Sequence, residues 1–232
     1  MIEQTFGNPS FRKGMIAVSA FLILIALYQA LIGAPDASNE PVTYRILYFH
    51  VPVAIMSYLG FFVAFVGSVG YLWKDEMKFD RWAVVGVELG VLFCTLMLIT
   101  GMIWGKQRWG AWWLWEPRLT TSLVLLAIYV GYLVLRNMVE NDVTRARYCA
   151  VYGIVGFVDV PIVHFAIKMW GSIMHPVVIK GPTDPGMTLE MQIALRMAML
   201  AFFLLFATLY LLRLRIENID AETKKLKAEI TN

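Results

Sequence analysis

The chain has 232 residues, of which 59% are hydrophobic and 16% charged, with mean hydropathy +0.64 and a formal net charge of +3. A soluble domain carries about 25% charged and about 45–50% apolar residues, so this composition excludes an ordinary soluble enzyme. The sequence pI of 8.8 is accounted for by basic flanks of membrane spans and does not call for nucleic-acid binding.

Six apolar stretches follow one another: Met15–Ile32, Val51–Trp73, Ala83–Ile103, Leu119–Leu135, Tyr148–Ile167 and Met191–Leu212. Each has the length a helix needs to cross about 30 Å of hydrocarbon at about 1.5 Å per residue. The expected fold is an all-α integral membrane protein of six transmembrane helices. Residues 1–232 would form a single polytopic domain, with residues 213–232 as a cytoplasmic tail. The first stretch is as long as a full span and lacks a small-residue cleavage site, so it is expected to remain a helix and not act as a cleaved leader. The fifth is interrupted by Asp159 and Pro161.

Orientation follows from the Lys/Arg bias of the short loops. With the N-terminus inside, thirteen Lys and Arg flank the cytoplasmic ends and six the opposite ends. Both termini are therefore expected to be cytoplasmic, and the loops carrying His50, the tryptophans and His175 to face the periplasm of a cell that has an outer membrane. Pro52 and Pro117 are expected at helix starts, where a missing N–H costs nothing. The tail, "RLRIENIDAETKKLKAEI", alternates acids and bases and reads as a solvated helix. Cys94 and Cys149 fall inside spans, and no C-x-x-C occurs. They read as small packing residues, which excludes external thiol–disulfide chemistry.

Between the third and fourth spans stands "WGKQRWGAWWLWEPRLT", with five of the eight tryptophans: Trp104, Trp109, Trp112, Trp113 and Trp115. An aromatic belt at the headgroups explains one or two indoles per helix end, not five in one loop. A short helix over 109–115 would place Trp109, Trp112, Trp113 and Glu116 on one face, a shelf for a flat apolar disc. His50, at the outer end of the second span, and His175, in the third outer loop, flank this segment. If the second and sixth spans are neighbours, two imidazoles face across a gap that suits a planar iron macrocycle. His164, inside the fifth span and five residues beyond Asp159, reads as structural. No nucleophile–base set, phosphate loop or metal-hydrolase motif is present, so catalysis is not expected.

The tryptophan segment resembles the WGxxWxWD signature of haem-handling membrane proteins. With "YRILYFHVP", "DVPIVHF" and the "HP" at His175 in the same order, the chain is similar to the CcmC family over nearly its whole length. Glu116 stands where that signature usually has Asp. The resemblance implies that haem b is held transiently as cargo at the outer face and presented to the haem chaperone CcmE for maturation of c-type cytochromes. It implies the ABC transporter subunits CcmA and CcmB and the small protein CcmD as partners. It makes His50 and His175 the axial iron ligands, and gives the macrocycle or the docking chaperone to the tryptophans, Trp112, Trp113 and Trp115 foremost. Arg118, and with it Arg45 and Arg108, would pair with the propionates. Two other classes remain at this stage: a membrane haem-b electron carrier, and a quaternary-amine transporter with the tryptophans as a cation–π cage.

Overall fold

The computed structural model describes residues 8–34, 43–171 and 187–231. Helix α1 (Pro9–Tyr28) starts where Asn8 accepts the Ser10 N–H at 2.9 Å with Pro9 in the first turn, and it ends in a π-helical turn, Gln29–Gly33. A 3₁₀ turn, Thr43–Ile46, leads into α2 (Leu47–Lys74), and α3 (Met77–Trp109) follows after two residues. Helix α4 (Pro117–Met138) is followed by α5 (Asp142–Phe157), capped by the Asn141 side chain on the Thr144 N–H at 2.9 Å. Helices α5 and α6 (Asp159–Trp170) are separated by a single turn at Val158, and α7 (Leu189–Thr231) completes the chain. Six stretches are long and apolar enough to cross a membrane, α5 and α6 together forming the fifth, and no strand occurs among the described residues.

Every span is longer than expected. The second span starts at Tyr44, not Val51, because the apolar "ILYF" continues the helix outward. Pro52 is consequently inside α2 and not at its start, so the Tyr48 carbonyl lacks the N–H that residue 52 would supply. The fifth span holds together through its polar interruption because the turn at Val158 puts Pro161 in the opening turn of α6, where no N–H is needed.

Side chains facing away from the bundle are apolar: Leu24, Phe21 and Leu200 are each about 60% exposed, as a lipid-facing surface requires. Inside, Phe61 stacks on Tyr129 with centroids 4.0 Å apart, in a cluster with Phe93, Leu125, Cys94 and Cys149. Both cysteines are free and buried.

The contact between α2 and α3 positions the site. A β-carbon on Gly60 would stand 2.6 Å from the Gly90 nitrogen, one on Gly86 2.7 Å from the Ala64 nitrogen, and one on Gly67 2.7 Å from the Ala83 nitrogen. Backbone meets backbone along this seam, the small-residue packing that membrane helices use to approach closely. The register Gly60/Gly90, Ala64/Gly86, Gly67/Ala83, carried ten residues outward, sets His50 opposite Thr100. At the other end the bundle is tied by ion pairs. Arg136 makes two 2.8 Å bonds to Asp80, whose side chain is 2% exposed, and Arg213 bridges Glu88 at 2.7 Å and Glu217 at 2.6 Å.

Candidate functional site

His50 lies in the opening turns of α2, half-buried, with its Nδ1 3.0 Å from the Thr100 hydroxyl of α3. That hydroxyl has one proton and two backbone carbonyls to take it, Leu96 at 2.8 Å and Met97 at 3.1 Å. With that proton engaged on a carbonyl, the Thr100 oxygen is free to accept from His50, an arrangement that would put the imidazole proton on Nδ1 and the lone pair on Nε2. A donating Nδ1 with a basic Nε2 is the form in which histidine ligates a metal, and a fixed acceptor behind the ring orients it. Gly101 makes the space: a β-carbon there would stand 3.2 Å from the His50 Cε1. Neither Thr100 nor Gly101 was singled out from the sequence. The signal was a Thr-Gly pair one helical register opposite the histidine, visible only once α2 and α3 are paired.

His175 lies in residues 172–186, outside the described residues. The neighbouring spans that would bring it near His50 are in place. Tyr48 of α2 shares a buried cluster with Ala194, Leu195 and Ala198 of α7 and with Ala26, Ala30 and Ala34 at the end of α1.

The tryptophan segment is not a short helix. Helix α3 carries Trp104 and Trp109 to its end, where Gly110 adopts a left-handed conformation (φ 76°) and its N–H caps the Lys106 carbonyl at 3.1 Å. Residues 111–116 then run without helical structure to Pro117. A glycine at the αL position is a strong helix stop, and it prevails over the i, i+3, i+4 spacing that suggested one face. The indoles form two edge-to-face pairs: Trp104 with Trp109 (5.0 Å, 76°) and Trp113 with Trp115 (5.6 Å, 78°). Gly105 provides the bed on which the Trp109 ring lies, its absent β-carbon leaving 3.2 Å to the indole. Trp112 and Trp115 are 57% and 76% exposed, whereas the indole N–H of Trp113 is buried without a hydrogen-bond partner.

Glu116 is buried at the N-cap of α4 but does not cap with its side chain. Arg118, in the first turn of α4, donates from Nη2 to the His164 carbonyl of α6 at 3.3 Å, while its Nε is buried without a partner. Arg45 donates from its two Nη atoms to the Ala30 and Ala34 carbonyls at 3.1 and 3.3 Å, closing the end of α1. Arg108 is exposed on the last turn of α3, and the Lys106 ammonium donates to the Gly110 carbonyl at 2.9 Å. His164 packs edge-on against Phe165 and is exposed on α6. Asp159, at the α5/α6 turn, has one carboxylate oxygen buried without a partner. The structure thus gathers His50 with Thr100 on the α2/α3 hairpin, Trp113 with Trp115 ahead of α4, and Arg118 with the His164 backbone.

Comparison with known families decides the matter. The family model described as heme exporter protein C, CcmC, matches residues 8–229. The chain belongs to the CcmC family. Similar proteins include the heme exporter protein C of Bradyrhizobium diazoefficiens, 32% identical over 92% of this chain and 81% of that protein. The heme exporter protein C of Escherichia coli K12 is 35% identical over 78% and 73%. A ccmC-like mitochondrial protein of cytochrome c biosynthesis from Marchantia polymorpha is 31% identical over 89% and 88%. The CcmC family consists of membrane components of haem delivery for cytochrome c biogenesis and not of enzymes, in keeping with the expectations drawn from the tryptophan signature.

Proposed function

We propose that this chain holds haem b transiently at the periplasmic face of the cytoplasmic membrane and presents it to the chaperone CcmE, beside the transporter subunits CcmA and CcmB and the small protein CcmD. The observation that carries the reading is the His50–Thr100 hydrogen bond, which supports an oriented imidazole at one end of a bundle of apolar helices. His175 is the second axial ligand in this reading. Family membership supports the haem cargo.

Two buried donors without partners, the Trp113 indole N–H and the Arg118 Nε–H, occur within residues 113–118. Buried donors left unbonded cost about 1–3 kcal/mol each, and a carboxylate is the acceptor they suit. Arg118 is therefore the leading propionate partner, ahead of Arg45, whose Nη atoms are engaged on α1 carbonyls, and of Arg108. Glu116 sets the start of α4 beside them. Trp104, Trp109 and Trp113 supply apolar wall, and the outward faces of Trp112 and Trp115 supply a landing surface for the chaperone. The Lys/Arg bias supports placing both termini in the cytoplasm. In transfer, the protein's part is to bind, orient and let go.

The test is the visible spectrum of the purified chain beside His50→Ala and His175→Ala, with co-purification of CcmE. Wild type should carry a low-spin haem spectrum that each variant loses, and CcmE should be retained only with haem. A colourless wild type from haem-replete cells would end the reading.

A further inference from the structure

Helix α7 runs unbroken from Leu189 to Thr231, 43 residues without Gly or Pro. A hydrocarbon core takes about 20 residues, so beyond Leu212 the helix continues out of the membrane as a rod of roughly 28 Å at about 1.5 Å per residue. It leaves from the end opposite the tryptophan segment, since α7 begins beside the N-terminal end of α2. Along the rod Ile216, Ile219, Leu226 and Ile230 are 51%, 47%, 59% and 85% exposed.

Their spacing is that of a heptad. Ile216, Thr223 and Ile230 occupy one core position, and Leu212, Ile219 and Leu226 the other. β-branched residues at the first and leucine at the second favour two parallel strands, a pattern that Leu212 and Leu226 follow and Ile219 does not. The flanking charges identify the second strand. In a parallel pair each residue before the first core position faces the residue five places on in the other strand. That sets Glu222 against Lys227 and Arg215 against Asp220, opposite signs both times. Within the described residues Glu222 and Lys227 make no ion pair along their own helix. Copies in one membrane all insert with the same polarity, so a parallel arrangement is the one available. Confinement to the bilayer also raises the effective concentration that so short a coil requires.

We propose that the rod from Leu212 to Ile230 is a dimerisation element that pairs two copies of this chain in a parallel coiled coil. The self-complementary charges favour a second copy over a foreign helix, which would have no need of them.

The full-length chain in native membranes tests this by oxidative crosslinking, the native Cys94 and Cys149 being buried. Leu226→Cys and Ile219→Cys should give disulfide-linked dimers about tenfold more readily than Ala221→Cys and Ala228→Cys, which point away from the seam. In the Leu226→Cys background, Glu222→Lys should remove most of the dimer, and adding Lys227→Glu should restore it. Membrane levels of each variant, read on the same blots, separate loss of pairing from loss of protein. Equal crosslinking at all four positions, none at the seam, adducts only to another protein, or indifference to the charge reversal would each overturn the proposal.

Discussion

The imidazole of His50 lies against Gly101, at a distance where a single added β-carbon would stand 3.2 Å from its Cε1. The ring is held there by Thr100, and the pairing is set by glycine contacts ten residues further into the bundle, at Gly60 and Gly90.

Replacing Gly101 should therefore act on the histidine before it acts on the fold. Gly101→Ala asks the ring to give by a few tenths of an ångström and should weaken haem binding only slightly. Gly101→Val adds branches with no space and should weaken it about tenfold or more, since a ligand displaced by an ångström loses its geometry. Haem titration followed at the Soret band, with a melting curve as control, checks both.

Thr100→Val keeps the shape of the side chain and removes the acceptor for the Nδ1–H. Loss of such a supporting hydrogen bond typically costs a metal site about 10–100-fold in affinity. Thr100→Ser should restore binding, because the hydroxyl returns. A Thr100→Val protein that binds haem as tightly as wild type would remove Thr100 from the account.

Haem retention should fall as pH drops below about 6, as a protonated imidazole cannot ligate iron and free imidazole titrates near 6.5. The sign is fixed by competition: iron holds the neutral ring, so acid favours release. Spectra of the haem-loaded protein from pH 8 to pH 4 read it directly. An unchanged spectrum at pH 4 would contradict bis-histidine ligation.

Gly60→Leu should lower thermal stability and haem affinity together. Overpacking costs about 1–3 kcal/mol or more, and a β-carbon 2.6 Å from backbone cannot be relieved by a side-chain rotation. Correlated loss distinguishes a seam residue from Thr100, whose removal should leave the melting temperature nearly unchanged.

Arg136→Ala leaves Asp80 charged and 2% exposed, which costs about 3–5 kcal/mol. Removing both partners should be milder than removing one. Because this pair ties the end remote from His50, the surviving Arg136→Ala protein should keep the wild-type haem spectrum, measured on the folded fraction.

The spans were legible because length and apolarity alone mark a membrane helix, and the cysteines because nothing around them offered chemistry. His50 was singled out from its place at a span end. Its supports were not, since the Thr100 and Gly101 contacts depend on a helix pairing that a linear reading does not supply. The short helix expected over 109–115 does not form for a local reason: helical spacing was counted across Gly110, whose left-handed backbone ends the helix. Arg45 was read as a propionate partner, and its bonds to the Ala30 and Ala34 carbonyls could not be seen in the linear sequence. In the tail, the alternating charges concealed the heptad, because Thr223 takes the place of one apolar residue.

At Gly60, Gly67 and Gly86 the backbones of α2 and α3 meet with no side chain between them to be repacked. A lineage can exchange one lipid-facing leucine for another with little consequence, but each glycine along this hairpin is a dimension of the part, not a filling. A methyl added at Gly60, Gly67 or Gly86 has only backbone to press on, so the position of His50 depends on residues remote from its own ring.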